Sequence, residues 1–257
     1  FRLITTVAPA VAKAAMESGV AKVAITDWAK YSEELDKRLG LGNKLLQSLT
    51  QRARMNPKRV VFAEADNYKI LKAAQISRDD GVAIPILLGN RERIMAMIDE
   101  HGLDLEDIEI IDTRSNTEND RRNKYAEILF AKRMRRGFTH PEAKKIMRER
   151  NYFGAAMLEA GEADALISGL TRNYATTIKP ALQVIGTDPK VKHIAGMYVI
   201  VTKNGPLFLA DTTVTYNPTS EQLVEITLLV AAAVERFRMT PRIAMLSFSN
   251  FGSSDNV

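Results

Sequence analysis

Four short apolar runs, each followed by a longer stretch of different period, set the tightest limit on how this chain can fold. They are KRVVFA (58–63), AIPILL (83–88), IEIID (108–112) and ADALI (163–167). Each is too short for a buried helix and is bounded by turn formers, so each reads as a strand. Segments 70–79, 91–100 and 152–160 read as helices between them, and 117–150 as mostly helical with a break at Gly137. The chain restarts near Thr139-His140-Pro141-Glu142, where Thr139 and Glu142 predict a capping box. Strand and helix in alternation is the signature of an α/β fold.

The pattern changes after Thr187-Asp188-Pro189-Lys190, which reads as a boundary loop. Longer strands follow at 193–202 and 206–209, joined by Lys203-Asn204-Gly205, and Asn-Gly between apolar runs predicts a hairpin. A helix over 219–237 and a strand over 242–248 complete the reading. The expectation is two α/β lobes facing a crevice, with the segment 168–177 turned toward it.

That segment belongs to ADALISGLTRNYATTIKPALQ (163–183), the part of the chain richest in candidate chemistry. Ser168, Gly169, Thr171, Thr176 and Thr177 put hydroxyls and bare backbone at the end of a strand, where open α/β sheets present their ligand crevice. Helix N-termini and successive backbone N–H groups favour anions, and Arg172 and Lys179 add positive charge. A helix 180–186, opening at Pro180, is expected next. The same residues are equally read as a Ser/Thr-capped helix after a strand.

Composition excludes more than it identifies. With no cysteine, the chain has no disulfide scaffold, thiolate metal site or cysteine nucleophile. The three histidines, His101, His140 and His193, are dispersed without metal-ligand spacing. The net charge of +5 is spread among acids, with no nucleic-acid-binding signature, and suits phosphorylated ligands. No apolar run approaches the roughly 18 residues of a membrane span. No nucleic-acid or membrane partner is expected, and a cytoplasmic location fits. The apolar run QLVEITLLVAAAV (222–234) could bury against its own sheet or against another subunit of a homo-oligomer.

Five stretches carry a resemblance, in order along the chain. They are VVFAEADNYKILKAA (60–74), LFAKRMRRGFTHPEA (129–143), SGLT…TTIKPALQVIG (168–186), LFLADTTVTYNPTSEQLVEIT (207–227) and PRIAMLSFSNFGSS (241–254). Together they resemble the phosphate acetyl/butyryltransferase family. The resemblance implies a two-lobed three-layer α/β/α fold of the isocitrate/isopropylmalate dehydrogenase-like, phosphotransacetylase type. It also implies acyl-CoA and phosphate as ligands, with reversible acyl transfer between them. Matching Gly137-Phe138-Thr139 to the family's KG-x-T motif implies a substrate-site role for Arg133, whose planar fork suits phosphoryl oxygens. Arg135 and Arg136 read as solvated surface.

The sequence also departs from the family. Lys179 stands where the family usually has arginine, keeping the charge and losing the bidentate fork. Phe251 stands where the family has lysine, in a Ser/Gly-rich loop where Ser249 is either a ligand contact or a polar strand end. Asp211 either caps the turn into helix 219–237 or contributes to the crevice. The Ser-Arg pair and aspartate that serve acyl transfer in the family have no counterpart in 1–257, so the C-terminal part of the fold reads as missing and no general base is nominated.

Residues 1–40 resemble something else. VAPAVAKAAMESGVA (7–21) is similar to the closing helix of the nucleotide-binding domain of bacterial malic enzymes, some of which carry a phosphotransacetylase-like domain at their C-terminal end. Pro9 and Gly19 bracket this expected helix, and YSEELDKRLG (31–40) reads as an exposed connector. The implied organisation is 1–40 malic-enzyme end and connector, 41–188 first lobe and 189–257 truncated second lobe. No cofactor is expected in this stretch beyond acetyl-CoA or coenzyme A as ligand. NADP and a divalent metal are implied only for the malic enzyme part, whose reaction is the oxidative decarboxylation of malate to pyruvate. Two roles stay open: a ligand-sensing domain that regulates the malic enzyme, or a working phosphate acyltransferase. A structural oligomerisation domain is the third.

Overall fold

The computed structural model describes residues 2–38, 44–105, 107–202 and 205–246. They group into two compact units, one of residues 48–188 and one of the described residues within 1–47 and 189–257.

In the first unit, β1 (Lys58–Phe62), β2 (Ala83–Leu88), β3 (Glu109–Ile111) and β4 (Ala165–Ile167) form a parallel sheet in the order β3-β2-β1-β4. Neighbouring side chains of a strand point to opposite faces, and both faces are covered. Val61, Ile86, Leu88 and Ile111 pack with Tyr125, Leu129, Phe153 and Met157. These come from α6 (Asn119–Arg133) and α8 (Arg150–Glu159), with Ala143 of α7 (His140–Ile146) and Val184 of α9 (Tyr174–Val184) in the same cluster. Phe62 and Leu87 pack on the other face with Leu71, Ala74, Ile94 and Ile98 of α4 (Tyr68–Asp79) and α5 (Arg91–His101). The unit is therefore a three-layer α/β/α sandwich. Gly154 lets α8 lie flat on the sheet, because a Cβ there would stand 2.8 Å from Leu166 Cδ1 and 3.3 Å from Val61 Cγ1.

In the second unit, β5 (Met197–Thr202) and β6 (Gly205–Ala210) pair antiparallel, from Met197 opposite Ala210 to Thr202 opposite Gly205. The hairpin is as the sequence predicts, with residues 203 and 204 outside those described. Thr219 caps α10 (Ser220–Arg236) through a capping box with Gln222, and Phe208 of β6 meets Phe237 at 5.4 Å between ring centroids. At the N-terminal end stand α1 (Arg2–Glu17) and α2 (Trp28–Arg38), where Lys13 Nζ lies 5.2 Å from the Trp28 ring, and α3 (Lys44–Met55) precedes β1 in sequence. No helix among the described residues is long and apolar enough to cross a membrane.

Local signals that competed with stronger ones were misread. The connector expected over 31–40 is helical through Arg38, with Leu35 buried, and residues 39 and 40 lie outside those described. Pro9 lies inside α1 rather than near its start. The long helical stretch breaks again at 147–149, because Glu149 accepts from the N–H groups of Asn151 and Tyr152 and starts α8 there. The capping box at Thr139 and Glu142 is present. The described part of the strand expected over 242–248, residues 242–246, has no strand conformation, since strands need a ladder partner.

Candidate functional site

The strand order fixes where a ligand crevice belongs. From β1 the chain runs through β2 to β3 on one side, then crosses back to place β4 on the other side of β1. The carboxyl ends of β1 and β4 flank this reversal, and open α/β sheets bind ligands at such a switch point. Ala63 N donates to Ile167 O at 3.1 Å, so the segments leaving β1 and β4 start side by side. These segments are Glu64–Asp66 and Ser168–Arg172.

The turn after β4 is organised from beneath. Glu64, 4% exposed, accepts at Oε2 from Leu170 N (2.8 Å) and Thr171 N (3.1 Å). Ser168 Oγ donates to Oδ1 of the buried Asn151 at 2.8 Å. Gly169 has a φ of +112°, a conformation that favours glycine, and a Cβ there would meet Thr177 at 3.7 Å. The turn is thus folded against the first turn of α9.

Charged pairs rim the turn. Arg150 grips Asp66 with both terminal nitrogens, at 2.5 and 2.8 Å, and reaches Ala63 O at 3.4 Å. The Arg150 hydrogen bonds hold the Asp66 carboxyl below the usual carboxylate range despite partial burial, and the same bonds hold the Arg150 guanidinium up. Glu149 accepts from Arg172 at 2.5 Å while capping α8.

Helix α9 starts six residues earlier than proline placement suggests. Asn173 is its cap, accepting from Thr176 N at 2.9 Å, and the Thr176 and Thr177 hydroxyls donate to Asn173 O at 3.0 Å each. This cap outweighs Pro180, which sits buried inside the helix and forgoes one i→i−4 bond. Ser168, Gly169, Thr171, Thr176 and Thr177 are therefore brought together at the N-terminal end of α9. Lys179 is exposed one turn further on.

Arg133, Asp211 and Ser249 are the remaining candidate residues. Arg133 is not at this turn: its Nε donates to Gln183 O at 2.8 Å and its Nη2 to Leu182 O, at the other end of α9. Thr176 and Gln183 are separated by about 10 Å of helix axis. The cation is held by carbonyls that a helix C-terminus leaves free. Lys132 joins it, donating to Val184 O at 2.8 Å and pairing with Glu159. Asp211 accepts from the N–H groups of Gly196, Thr213, Val214 and Thr215, so it organises a turn; partial burial pushes its carboxyl up, and the four donors hold it below the usual range. Ser249 lies outside the described residues, as does Phe251.

Sequence reasoning missed Glu64, Asp66, Glu149, Arg150 and Asn151. The available signal was AEAD (63–66), an acid directly after the apolar run VVFA (60–63).

Comparison with known proteins agrees with the three-layer α/β fold. The family model for phosphate acetyl/butaryl transferase matches residues 44–257. An NADP-dependent malic enzyme of Haemophilus influenzae is 38% identical over 260 residues, covering 100% of this chain and 34% of its own length. The NADP-dependent malic enzyme of Escherichia coli is 39% identical, over 99% of this chain and 34% of its own length. The chain thus spans about a third of these relatives. A phosphate acetyltransferase of Thermoanaerobacterium thermosaccharolyticum is 34% identical over 82% of the chain and 65% of its own length. Among solved structures, the EutD phosphotransacetylase from Staphylococcus aureus superposes with a TM-score of 0.71 at 28% identity, over 82% of this chain and 63% of that one.

Proposed function

The chain belongs to the phosphate acetyl/butaryl transferase family, and from that membership we propose that it is the acyl-CoA-binding, regulatory module of a malic enzyme. One observation carries the reading. The family match begins at residue 44, and the phosphate acetyltransferase relatives cover 82% and 84% of the chain, whereas the first two malic enzymes cover 100% and 98%. Similarity to the malic enzymes therefore runs through the leading segment as well.

The ligand is an acyl-CoA such as acetyl-CoA, held at the switch point by the turn 168–171 and the N-terminal end of α9. That helix end presents partial positive charge, and Lys179 supplies a point charge without the bidentate fork of arginine. Regulation requires that the ligand bind two conformations of the parent with different affinity, because equal affinity shifts no equilibrium. The parent oxidises and decarboxylates malate with NADP and a divalent metal in its other domains, as a cytoplasmic homo-oligomer. The exposed apolar residues Val224 and Leu228 of α10 support assembly.

A second reading, a working phosphate acyltransferase, is favoured by the 34% identity to phosphate acetyltransferases and by Ser168 at the switch point. Acetyl-CoA binding and acyl-phosphate formation, measured together on the full-length protein, separate the two. Binding without turnover supports regulation and turnover supports the transferase. Absence of binding overturns both. Deleting this module should leave malate oxidation and abolish its response to acetyl-CoA. Malic activity that stays acetyl-CoA-sensitive would put the effector site elsewhere, and loss of activity through disassembly would make the module structural.

A further inference from the structure

The two successive N–H groups of Leu170 and Thr171, at the carboxyl end of β4, form the kind of concave donor pair that binds anions. In this chain they face an anion of its own. Glu64 is 4% exposed and places Oε2 at 2.8 and 3.1 Å from the two nitrogens. Its second oxygen, Oε1, is buried without a hydrogen-bond partner in the protein, as is Nδ2 of Asn151, whose Oδ1 accepts from Ser168. A carboxylate this buried stabilises the site only through the bonds it makes, and here both of its hydrogen bonds go to the turn. The guanidinium groups that rim the turn are paired with other acids: Arg150 with Asp66 and Arg172 with Glu149.

We propose that Glu64 is the resident anion of the 168–171 turn and determines its specificity. It excludes inorganic phosphate and phosphoryl groups from the Leu170 and Thr171 N–H pair and leaves the turn to an uncharged part of the ligand. That this part belongs to an acyl-CoA rests on the functional reading above; exclusion of the anion does not. Phosphoryl groups of the ligand then find their partners outside the turn. The consequence bears on the two roles: a turn closed to phosphate suits a ligand sensor better than a phosphate-using transferase.

Inorganic phosphate is the probe, titrated calorimetrically into the wild-type chain, E64Q and E64A. E64Q keeps an acceptor and removes the charge, while E64A removes both. Phosphate affinity should rise from wild type to E64Q to E64A, by at least about tenfold for E64A, the equivalent of one charge-assisted hydrogen bond. Equal affinity in all three folded proteins overturns the proposal. Crystals of the wild-type protein soaked in phosphate give an arm that needs no variant to fold. An anion within hydrogen-bond distance of Leu170 N and Thr171 N overturns the proposal, and its absence there supports it. Failure of the wild-type protein to bind acetyl-CoA would sink the functional reading while leaving this one standing.

Discussion

Arg133 Nε donates to the carbonyl oxygen of Gln183 at 2.8 Å, tying the last turn of α6 to the last turn of α9. The residue that family resemblance assigns to the substrate therefore serves as a helix C-terminal cap in this conformation. Charge-assisted hydrogen bonds contribute about 1.5–3 kcal/mol each. Arg133→Ala should cost roughly that much stability by urea denaturation while leaving acetyl-CoA affinity unchanged. Weakened binding at unchanged stability would return Arg133 to the ligand site.

Acid should loosen the edge where β1 meets β4. Asp164 accepts from Arg59 N, Nε and Nη2 at 2.9, 3.2 and 3.0 Å. These bonds lower the Asp164 carboxyl from its ordinary 3.8 to about 2. A depressed carboxyl stabilises the fold above its unfolded value and loses that contribution as pH falls through the folded one. Wild-type stability should therefore drop more steeply than that of Asp164→Asn between about pH 4 and about pH 2, and the two urea midpoints should converge at the acid end. Parallel curves over this window would exclude the pair as a contributor.

Close packing of α8 on the sheet gives a steric test. A methyl group at Gly154 would stand 2.8 Å from Leu166 Cδ1, 3.3 Å from Val61 Cγ1 and 3.4 Å from Leu88 Cδ1. Overpacking of this kind costs about 1–3 kcal/mol. It more than cancels the roughly 1 kcal/mol helix propensity gained on replacing glycine with alanine. Gly154→Ala should lower the thermal midpoint; a rise would mean that Leu166 moves aside at no cost.

Asp211 provides a local readout. Its Oδ2 accepts from Thr215 N at 2.8 Å and its Oδ1 from Gly196 N at 2.8 Å. In Asp211→Asn one of these N–H groups faces an amide donor, with a penalty of about 1–3 kcal/mol. Amide exchange at Gly196 and at residues 213–215 should accelerate relative to the β5–β6 ladder. Exchange that is unchanged there would remove the carboxylate from its organising role.

Periodicity determined the first unit nearly strand by strand. Residues 58–63, 83–88 and 108–112 are strands to within one or two positions, because four to six apolar residues between turn formers admit few other outcomes. The capping box at Thr139 was legible for a similar reason: a cap is made within one turn of chain, by residues three apart. The cluster of Ser168, Gly169, Thr171, Thr176 and Thr177 was legible as well, since a strand, a turn and a helix start adjoin in sequence. What lies beneath that turn was decided only by the fold. Glu64 stands 106 residues from Leu170 and Asn151 stands 17 from Ser168, and parallel pairing of β1 with β4 brings Glu64 to the turn. Sequence also could not show the carbonyl contacts of Arg133. An arginine fork suits phosphoryl and carbonyl oxygens alike, and the helix end beside it was set by packing.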